Sequence, residues 1–367
     1  MRAFPLLVLV CGLAILASAQ KKKKEEETQT LLLPKELPTV ITGDTRHLSF
    51  YVTPLSAKGL LSQQVRDALK SLAHTSGGDT VLKIRAFVAG SGDLRRVRDL
   101  VSEVFTDRRQ PLPVLSLIQA GGLPLEGAQV VMEAIASSKK AVDPMGLAFL
   151  SAQAAVSDNP LDPVAPLTGR SLASLRQAVK AAGSEPADVV RITCFLSSLD
   201  NVEASRKMVA GEYPRAAVDF VQTQRAPYQA LAACEAVARI RNGAPSARLT
   251  LLDPEGLPHE AGESRVALVG AAHVVLTGTQ ISFGYEEKDS RLAFERLRKA
   301  LEQAGVSTRD VAYTHYYSLA ARITAQVRKI RPDFFDAAHP PAGALLLFEG
   351  LPSMDAGFAV DVVAVKD

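Results

Sequence analysis

Three segments of the chain space their apolar residues three or four positions apart, as on one face of an amphipathic helix. The apolar positions are Leu61, Val65, Leu69 and Leu72 in the first segment, Leu172, Leu175, Val179 and Ala182 in the second, and Phe294, Leu297, Leu301 and Ala304 in the third. Gly183 and Gly305 follow the second and third segments, and glycine commonly ends a helix in the left-handed conformation. The pattern therefore predicts three amphipathic helices.

A β-branched and aromatic run follows each predicted helix, which predicts a strand. These runs occupy 78–88, 187–199 and 309–319. Each is followed by a second amphipathic segment and then by a closing apolar strand, in which Glu133, Glu235 and Asp361 occupy the same place. With a hairpin-like strand at the start, the order ββ(β)αβαβ occurs three times. The repetition predicts three units of ordinary domain size rather than a solenoid.

The first 19 residues have the layout of a secretory signal peptide. Arg2 supplies a positive region, an apolar run spans 6–16, and Ala17-Ser18-Ala19 precedes Gln20. We expect cleavage near Ala19–Gln20 and a secreted or periplasmic protein without a membrane anchor. The alternative is an uncleaved anchor, which is disfavoured because the apolar run is shorter than the ~20 residues of a spanning helix. Residues 20–39 begin with a block of Lys and Glu and are predicted to be a solvated linker.

Composition excludes several classes of protein. The chain is 47% apolar and its net charge is only +3, from 42 basic and 39 acidic residues. This is typical of a globular protein and argues against a nucleic-acid partner. Cys194 and Cys234 remain after removal of the leader, and they either pair or stay buried as thiols. The six His residues lack zinc-site spacing, and no Gly-rich phosphate motif occurs, so we expect neither a metal nor a cofactor.

The middle unit resembles the YjgF/Rid family. Its segments LSAQ, AVKAAGSEPADVVRITCFLSSL, YPRAAVDFV and CEAVARI are similar, in order, to the family's S-G-Q, a helix ending in A-G, D-V-V-K-x-T-V-F-L, P-A-R and I-E-I-E-A-V-A. The outer units resemble diverged members through PLPVLSLIQAGGLP and PPAGALLLFEGLP. The resemblance implies an α+β fold of three chorismate-mutase-like domains, at 40–140, 141–243 and 244–367. They are expected to form an intramolecular pseudo-trimer around a barrel-like centre, and hence a monomer.

The resemblance also implies a chemistry. Active family members resemble one another in an Arg that binds the substrate carboxylate and a Glu that positions the water attacking an imine carbon. The Arg position is Arg215 in the second unit but Leu115 and Gly343 in the others. The Glu position falls at Val131, Ala233 and Ala359. Two of the three expected clefts thus lack the guanidinium fork that holds a carboxylate.

Arg215 is therefore the candidate catalytic and carboxylate-binding residue, and Glu235 is a weaker catalytic candidate. Ser151, Gln153 and Tyr213 are further substrate-binding candidates. Each has an ordinary alternative: Arg215 is a solvated loop residue, Glu235 is structural because all three units carry its counterpart, and the polar pair satisfies backbone groups. Thr279 and Gln280 match the same S-G-Q turn in the third unit, and His315 is interpreted as a packed, hydrogen-bonded strand residue.

Two functions follow from these residues. The favoured one is an exported protein whose degenerate clefts bind a small carboxylate, a 2-imino or 2-oxo acid, without efficient catalysis. The alternative is an enamine/imine deaminase that hydrolyses 2-imino acids to 2-oxo acids and ammonia through Arg215. A third function, endoribonuclease activity, is disfavoured by the near-balanced charge.

Overall fold

A computed structural model describes residues 34–90, 92–258 and 260–367. The predicted signal peptide, its cleavage site and most of the predicted linker lie outside these residues. Pro34–Asp367 form one unit. Within the described ranges, no helix combines the length and the apolar character needed to cross a membrane.

The predicted helices are confirmed. Those described are α1 (Leu61–Thr75), α2 (Leu94–Asp107), α3 (Val164–Ala181), α4 (Val202–Glu212), α5 (Glu287–Gln303) and α6 (Ala321–Ile330). The apolar faces of α1, α3 and α5 are buried, as their spacing predicts. Gly183 and Gly305 end two of these helices at φ of +70° and +77°, a conformation that costs glycine little.

The described strands form three sheets. The first sheet has the order β2 (Leu48–Val52), β5 (Val130–Ser137), β3 (Thr80–Ala89), β4 (Val114–Ala120). The second has the order β10 (Leu249–Leu252), β11 (Val266–Val269), β6 (Leu147–Ser157), β9 (Ala230–Arg239), β7 (Val189–Leu196), β8 (Ala217–Gln222). The third has the order β1 (Val40–Asp44), β12 (His273–Thr277), β16 (Phe358–Lys366), β14 (Val311–Ser318), β15 (Ala342–Leu347), and β13 (Gln280–Ile281) also pairs with β16.

One three-strand arrangement recurs in every sheet. The middle strand (β3, β7 or β14) pairs antiparallel with the closing strand (β5, β9 or β16) and parallel with the strand on its other side. The antiparallel register shifts at the same place each time, just before Lys83, Arg191 and Tyr313. Two helices pack on one face of each sheet, where they form a core with its apolar residues.

The other faces of the three sheets meet one another. Two apolar clusters there draw residues from all three sheets. In one of them the rings of Phe87, Phe195 and Phe348 lie 5.8–6.0 Å apart as a triangle. Burial of these inner faces stabilises the association of the sheets, at roughly 25 cal/mol per Å² of apolar surface.

The expected barrel-like centre is not a closed barrel in the described residues. The strands form three separate sheets, because neighbouring sheets are joined by side chains, single hydrogen bonds and isolated bridges rather than by a continuous ladder. The joining hydrogen bonds include Thr279 N to Leu115 O (3.3 Å), Gln222 N to Gly122 O (3.0 Å) and Gly343 N to Ser151 Oγ (2.8 Å).

Strands also cross between the sheets. β1, from the expected first domain, pairs with β12 in the third sheet, where Val40 is opposite Thr277. β10 and β11, from the expected third domain, extend the second sheet, where Val266 is opposite Leu150. The sheets therefore do not follow the predicted domain boundaries, which stay predictions. Each crossing strand covers an edge that would otherwise present unpaired backbone groups.

Cys194 and Cys234 form a disulfide, which resolves the two alternatives left by the sequence. They are directly opposite each other on β7 and β9, with their Cα atoms 4.1 Å apart. Both are fully buried in the core of the second sheet.

Candidate functional site

A cleft opens at each place where the edge of one sheet meets the next. Cleft 1–2 lies between β2 and β8 and has a volume of about 540 Å³. Cleft 2–3 lies between β6 and β15 (about 410 Å³), and cleft 3–1 lies between β4 and the segment that joins β12 to β13 (about 170 Å³). The first two are within the size range of small-molecule sites.

Cleft 2–3 is lined by apolar and polar side chains in similar numbers. Its walls include Leu231 from β9 and Leu345, Leu346 and Leu347 from β15. The polar side chains are Ser197, Thr223, Gln224, Tyr228, Gln229, Glu260, Arg265, Thr324 and Arg328. Polar groups that converge on a cavity with apolar walls can fix the orientation of a bound ligand.

Arg265 is the most informative residue of this cleft. It stands just before β11, where its N–H donates to Leu252 O (2.9 Å) and its carbonyl accepts from Ser151 N (3.0 Å). The side chain is only 4% exposed. Its Nη2 lies 3.2 Å from Oε1 of Glu263, yet neither Nη2 nor Nε has a hydrogen-bond partner among the described residues. Arg265 thus brings to a cavity a guanidinium that is ion-paired with Glu263 but has two donors without a hydrogen bond to the described residues.

The charges around Arg265 are unequal in number. Buried Glu263 lies between Arg265 and Arg331, whose Nη1 is 3.6 Å from Oε2 of Glu263. Glu260 accepts from Nε of Arg328 at 2.8 Å. Three guanidinium groups therefore face two carboxylates in this described region. Burial raises the pKa of Glu263 to about 7, although Arg265 and Arg331 act to lower it.

Such an arrangement is suited to binding a small anion. A guanidinium with two free donors matches the two oxygens of a carboxylate. Removal from water strengthens the interaction, since the local dielectric is low.

The predicted residue Arg215 lies elsewhere. It is exposed in the turn between α4 and β8, and it is not among the lining residues of the three clefts. No hydrogen bond or ion pair joins it to another residue that the structure describes. Tyr213, two residues earlier, is buried in the core of the second sheet, where burial raises the pKa of its hydroxyl. The structure therefore does not group Arg215 with Tyr213.

Ser151 and Gln153 are buried on β6 and bind backbone groups. The hydroxyl of Ser151 donates to Ser264 O (2.6 Å) and accepts from Gly343 N (2.8 Å). Nε2 of Gln153 donates to Ser151 O (2.8 Å). The hydrogen bond from Gly343 to Ser151 joins the second and third sheets at the start of β15.

At the family Arg position, Gly343 has no space for a side chain. A Cβ there would lie 2.3 Å from Oγ1 of Thr314. Leu115, at the same position in the first unit, lines cleft 3–1 with Thr279 and Gln280.

Glu235 belongs to a polar layer between the two inner apolar clusters. This central polar layer consists of Lys83, Arg85, Glu133, Arg191, Glu235, His315 and Asp361, all buried. Burial acts to raise the pKa of Glu235, but Arg85 and His315 hold it well below its usual range. Glu133, Glu235 and Asp361 are opposite Arg85, Thr193 and His315 on the middle strands. Glu235 is therefore bound in an internal ion network.

Sequence reasoning missed Arg265 and the cations of the central polar layer. Lys83, Arg85 and Arg191 are charged residues within apolar strands, and Lys83 and Arg191 fall at matching places in their units. That signal was available in the sequence. No sequence signal pointed to Arg265, because it precedes a strand that packs on the sheet of another unit.

The described residues contain no group of three His, Cys, Asp or Glu side chains placed to hold a metal ion.

Comparisons with known proteins place the solved structures that this chain resembles in one family. No protein-family profile matches the chain, and no curated protein matches it. The conserved Rid protein YyfB from Yersinia pestis is 14% identical over 33% of this chain and all of its own, with a TM-score of 0.31. Rv2704 from Mycobacterium tuberculosis, of the YjgF/YER057c/UK114 family, is 21% identical over 32% of this chain and 99% of its own (TM-score 0.24). E. coli TdcF, solved with bound serine, is 20% identical over 32% of this chain and 94% of its own (TM-score 0.24). The structural neighbours are thus YjgF/Rid-family proteins, and each matches about one third of this chain.

Proposed function

We propose that this chain is an exported protein of the YjgF/Rid type, with three fused units arranged as a pseudo-trimer, that binds a small carboxylate in cleft 2–3 without efficient catalysis. The recurring strand order and the contacts of each sheet with both others support the pseudo-trimer. The layout of residues 1–19 supports export. So does the buried Cys194–Cys234 disulfide, since structural disulfides are typical of oxidising compartments.

The observation that carries the binding proposal is the guanidinium of Arg265. It is buried in the wall of cleft 2–3 beside Glu263, and its Nη2 and Nε make no hydrogen bond to any residue that the structure describes. A buried charged donor left unpaired is costly. A carboxylate of few atoms removes that cost and balances the excess of guanidinium groups. In this proposal Arg265, just before β11, supplies the group that Gly343 cannot supply from β15.

Catalysis is not part of the proposal. The family's water-positioning Glu is replaced by Ala233, which is fully buried. We do not extend the proposal to imine hydrolysis through Arg215, because that side chain is exposed in a turn.

The test is a calorimetric titration of pyruvate, 2-oxobutanoate and serine into the native protein and its variants. We expect Arg265→Lys to weaken binding by about tenfold or more, because a lysine keeps the charge but loses the fork. Arg265→Met should abolish binding. Arg215→Ala should bind as the native protein does.

Two controls accompany the titration. The double variant Arg265→Met/Glu263→Gln removes both charges of the buried pair, so no unpaired carboxylate is left to unfold the protein. If this variant is folded and does not bind, the loss of binding is due to the missing guanidinium and not to misfolding. An imine-hydrolysis assay on the same samples tests turnover. Equal affinity in native protein and Arg265→Lys would remove Arg265 from the site. Fast turnover that Arg215→Ala abolishes would establish the deaminase alternative instead.

A further inference from the structure

Cleft 1–2 differs from cleft 2–3 in the sign of its charged groups. Its volume is about 540 Å³, and its charged side chains are Asp219 from β8 and Glu203 and Arg206 from α4. The apolar part of its wall includes Val52, Leu55, Val131, Val218 and Phe220. The cleft thus brings two carboxyl groups and one guanidinium group to a cavity with apolar walls.

The carboxyl group of Asp219 is buried in the wall of this cleft. The residue is 3% exposed, and its Oδ2 has no hydrogen-bond partner among the described residues. The guanidinium group of the cleft is paired elsewhere, since Nε of Arg206 lies 3.3 Å from Oε1 of Glu203. A buried acceptor without a partner is costly.

The buried cations that act on Asp219 are paired with other carboxylates. Arg85 and Arg191 form ion pairs with Glu133 and Glu235 in the central polar layer. Burial and the charge of Glu133 raise the pKa of Asp219 well above its usual range, although both guanidinium groups and the backbone N–H of the next residue act to lower it. The described side chains therefore leave Asp219 without an ion-pair partner.

We propose that cleft 1–2 binds a small primary amine with an apolar body. The nitrogen donates to Oδ2 of Asp219, and the hydrocarbon part packs against the apolar wall. The site is separate from the carboxylate site, because no residue lines both cleft 1–2 and cleft 2–3.

The chemistry of the cleft favours this class of ligand over water or an alcohol. A water molecule could donate to Oδ2 but would leave the apolar wall hydrated, whereas a hydrocarbon body removes that surface from water. An ammonium group also makes a charge-assisted hydrogen bond to a carboxylate, which a hydroxyl group does not.

The same complex forms from either protonation state of Asp219. Simple amines are ammonium ions at neutral pH. An ionised carboxylate accepts from the ammonium directly, and a neutral carboxyl group releases its proton to solvent as the ammonium binds. Both routes end in one ion pair.

The first test compares two compounds with the same body, phenethylamine and 2-phenylethanol, by calorimetric titration into the native protein. We expect the amine to bind at least about tenfold more tightly than the alcohol, because the alcohol lacks the charge. Equal affinities, or no binding of the amine, would overturn the proposal.

The second test uses matched variants. Asp219→Asn keeps the shape of the side chain and should weaken phenethylamine binding by about tenfold or more. Asp158→Asn makes the same change at an exposed residue between β6 and α3 and should bind as the native protein does. If Asp219→Asn binds the amine as tightly as native protein, Asp219 is not its partner and the proposal is wrong.

Ala210→Phe provides a variant that leaves Asp219 unchanged. Ala210 is an exposed residue of α4 that lines the cleft, so a phenyl ring there should narrow the cleft and weaken amine binding without unfolding the protein. Unchanged affinity in folded Ala210→Phe would place the amine outside cleft 1–2 and overturn the proposal.

A crystal structure of the phenethylamine complex gives the direct check. The amine nitrogen should lie about 3 Å from Oδ2 of Asp219, with the phenyl ring against Val131 or Phe220. A water molecule on Oδ2, with the amine absent from the cleft, would contradict the assignment.

Discussion

Glu263 illustrates how one buried residue sets the electrostatics of a site. It faces Arg265, Arg331, Glu260 and the hydroxyl of Ser151, and burial raises its pKa from 4.5 to about 7. At pH 8 its charge competes with a ligand for Arg265, and at pH 6 it is mostly protonated and does not compete. Small 2-oxo acids stay ionised over this range. We therefore expect pyruvate to bind at least about fivefold more tightly at pH 6 than at pH 8, as measured by calorimetry at constant ionic strength.

The control for this pH dependence is Glu263→Gln. It should bind pyruvate with one affinity from pH 6 to pH 8. The raised pKa of Glu263 also makes the free energy of unfolding depend on pH. Because the folded-state pKa is raised, Glu263 destabilises the fold increasingly as pH rises from about 4.5 through 7. The variant should then unfold at a higher temperature than the native protein above pH 7. An unchanged pH slope in Glu263→Gln would contradict the assignment.

Residue identity also explains why the family's Arg position is unusable in the third unit. The backbone of β15 approaches Thr314 so closely that a Cβ at Gly343 would clash. Glycine there also lets its N–H reach Ser151 Oγ. Gly343 thus allows a close joint between two sheets at the position where the sequence resemblance would place an Arg.

At the scale of elements, the disulfide ties the middle and closing strands of the second sheet. It joins Cys194 and Cys234, which are 40 residues apart in sequence. Closing a loop of this length restricts the unfolded chain, and such bonds typically contribute about 2–4 kcal/mol. We expect reduction to lower the free energy of unfolding by this amount, as measured by urea denaturation with and without reductant.

The reduced native protein is the best comparison for this measurement, because it keeps both sulfur atoms in the core. Cys194→Ala/Cys234→Ala adds the loss of buried volume and should be less stable than the reduced protein. If reduced and oxidised proteins unfold at the same urea concentration, the disulfide does not stabilise the fold.

At the scale of the whole molecule, each of the three sheets contacts both others within one chain. The inner faces are covered, and β1, β10 and β11 cap edges of sheets beyond the expected boundaries of their own domains. We therefore expect the chain from residue 20 to be a monomer. Light scattering should report the mass of one chain across a hundredfold range of concentration. A particle of three chains would contradict the intramolecular arrangement.

Much of the fold could be predicted from the sequence because its cause is local. The spacing of Leu61, Val65 and Leu69 specifies an apolar helix face whatever that face packs on. The β-branched runs specify strands, and Gly183 specifies a helix end. Repetition of these signals in one order indicates three similar units.

The site was decided by the tertiary structure, for a physical reason. Contacts between sheets depend on pairings of distant strands, and no local pattern records them. β11 packs on β6 and so brings Arg265 into a cleft of another unit's sheet, while Arg215, the residue singled out by its neighbours in sequence, lies in a solvated turn. The sequence by itself determined the helices, the strands and their threefold repetition. Only the packing of the sheets decided which charges are buried together, because burial is a property of the assembled faces.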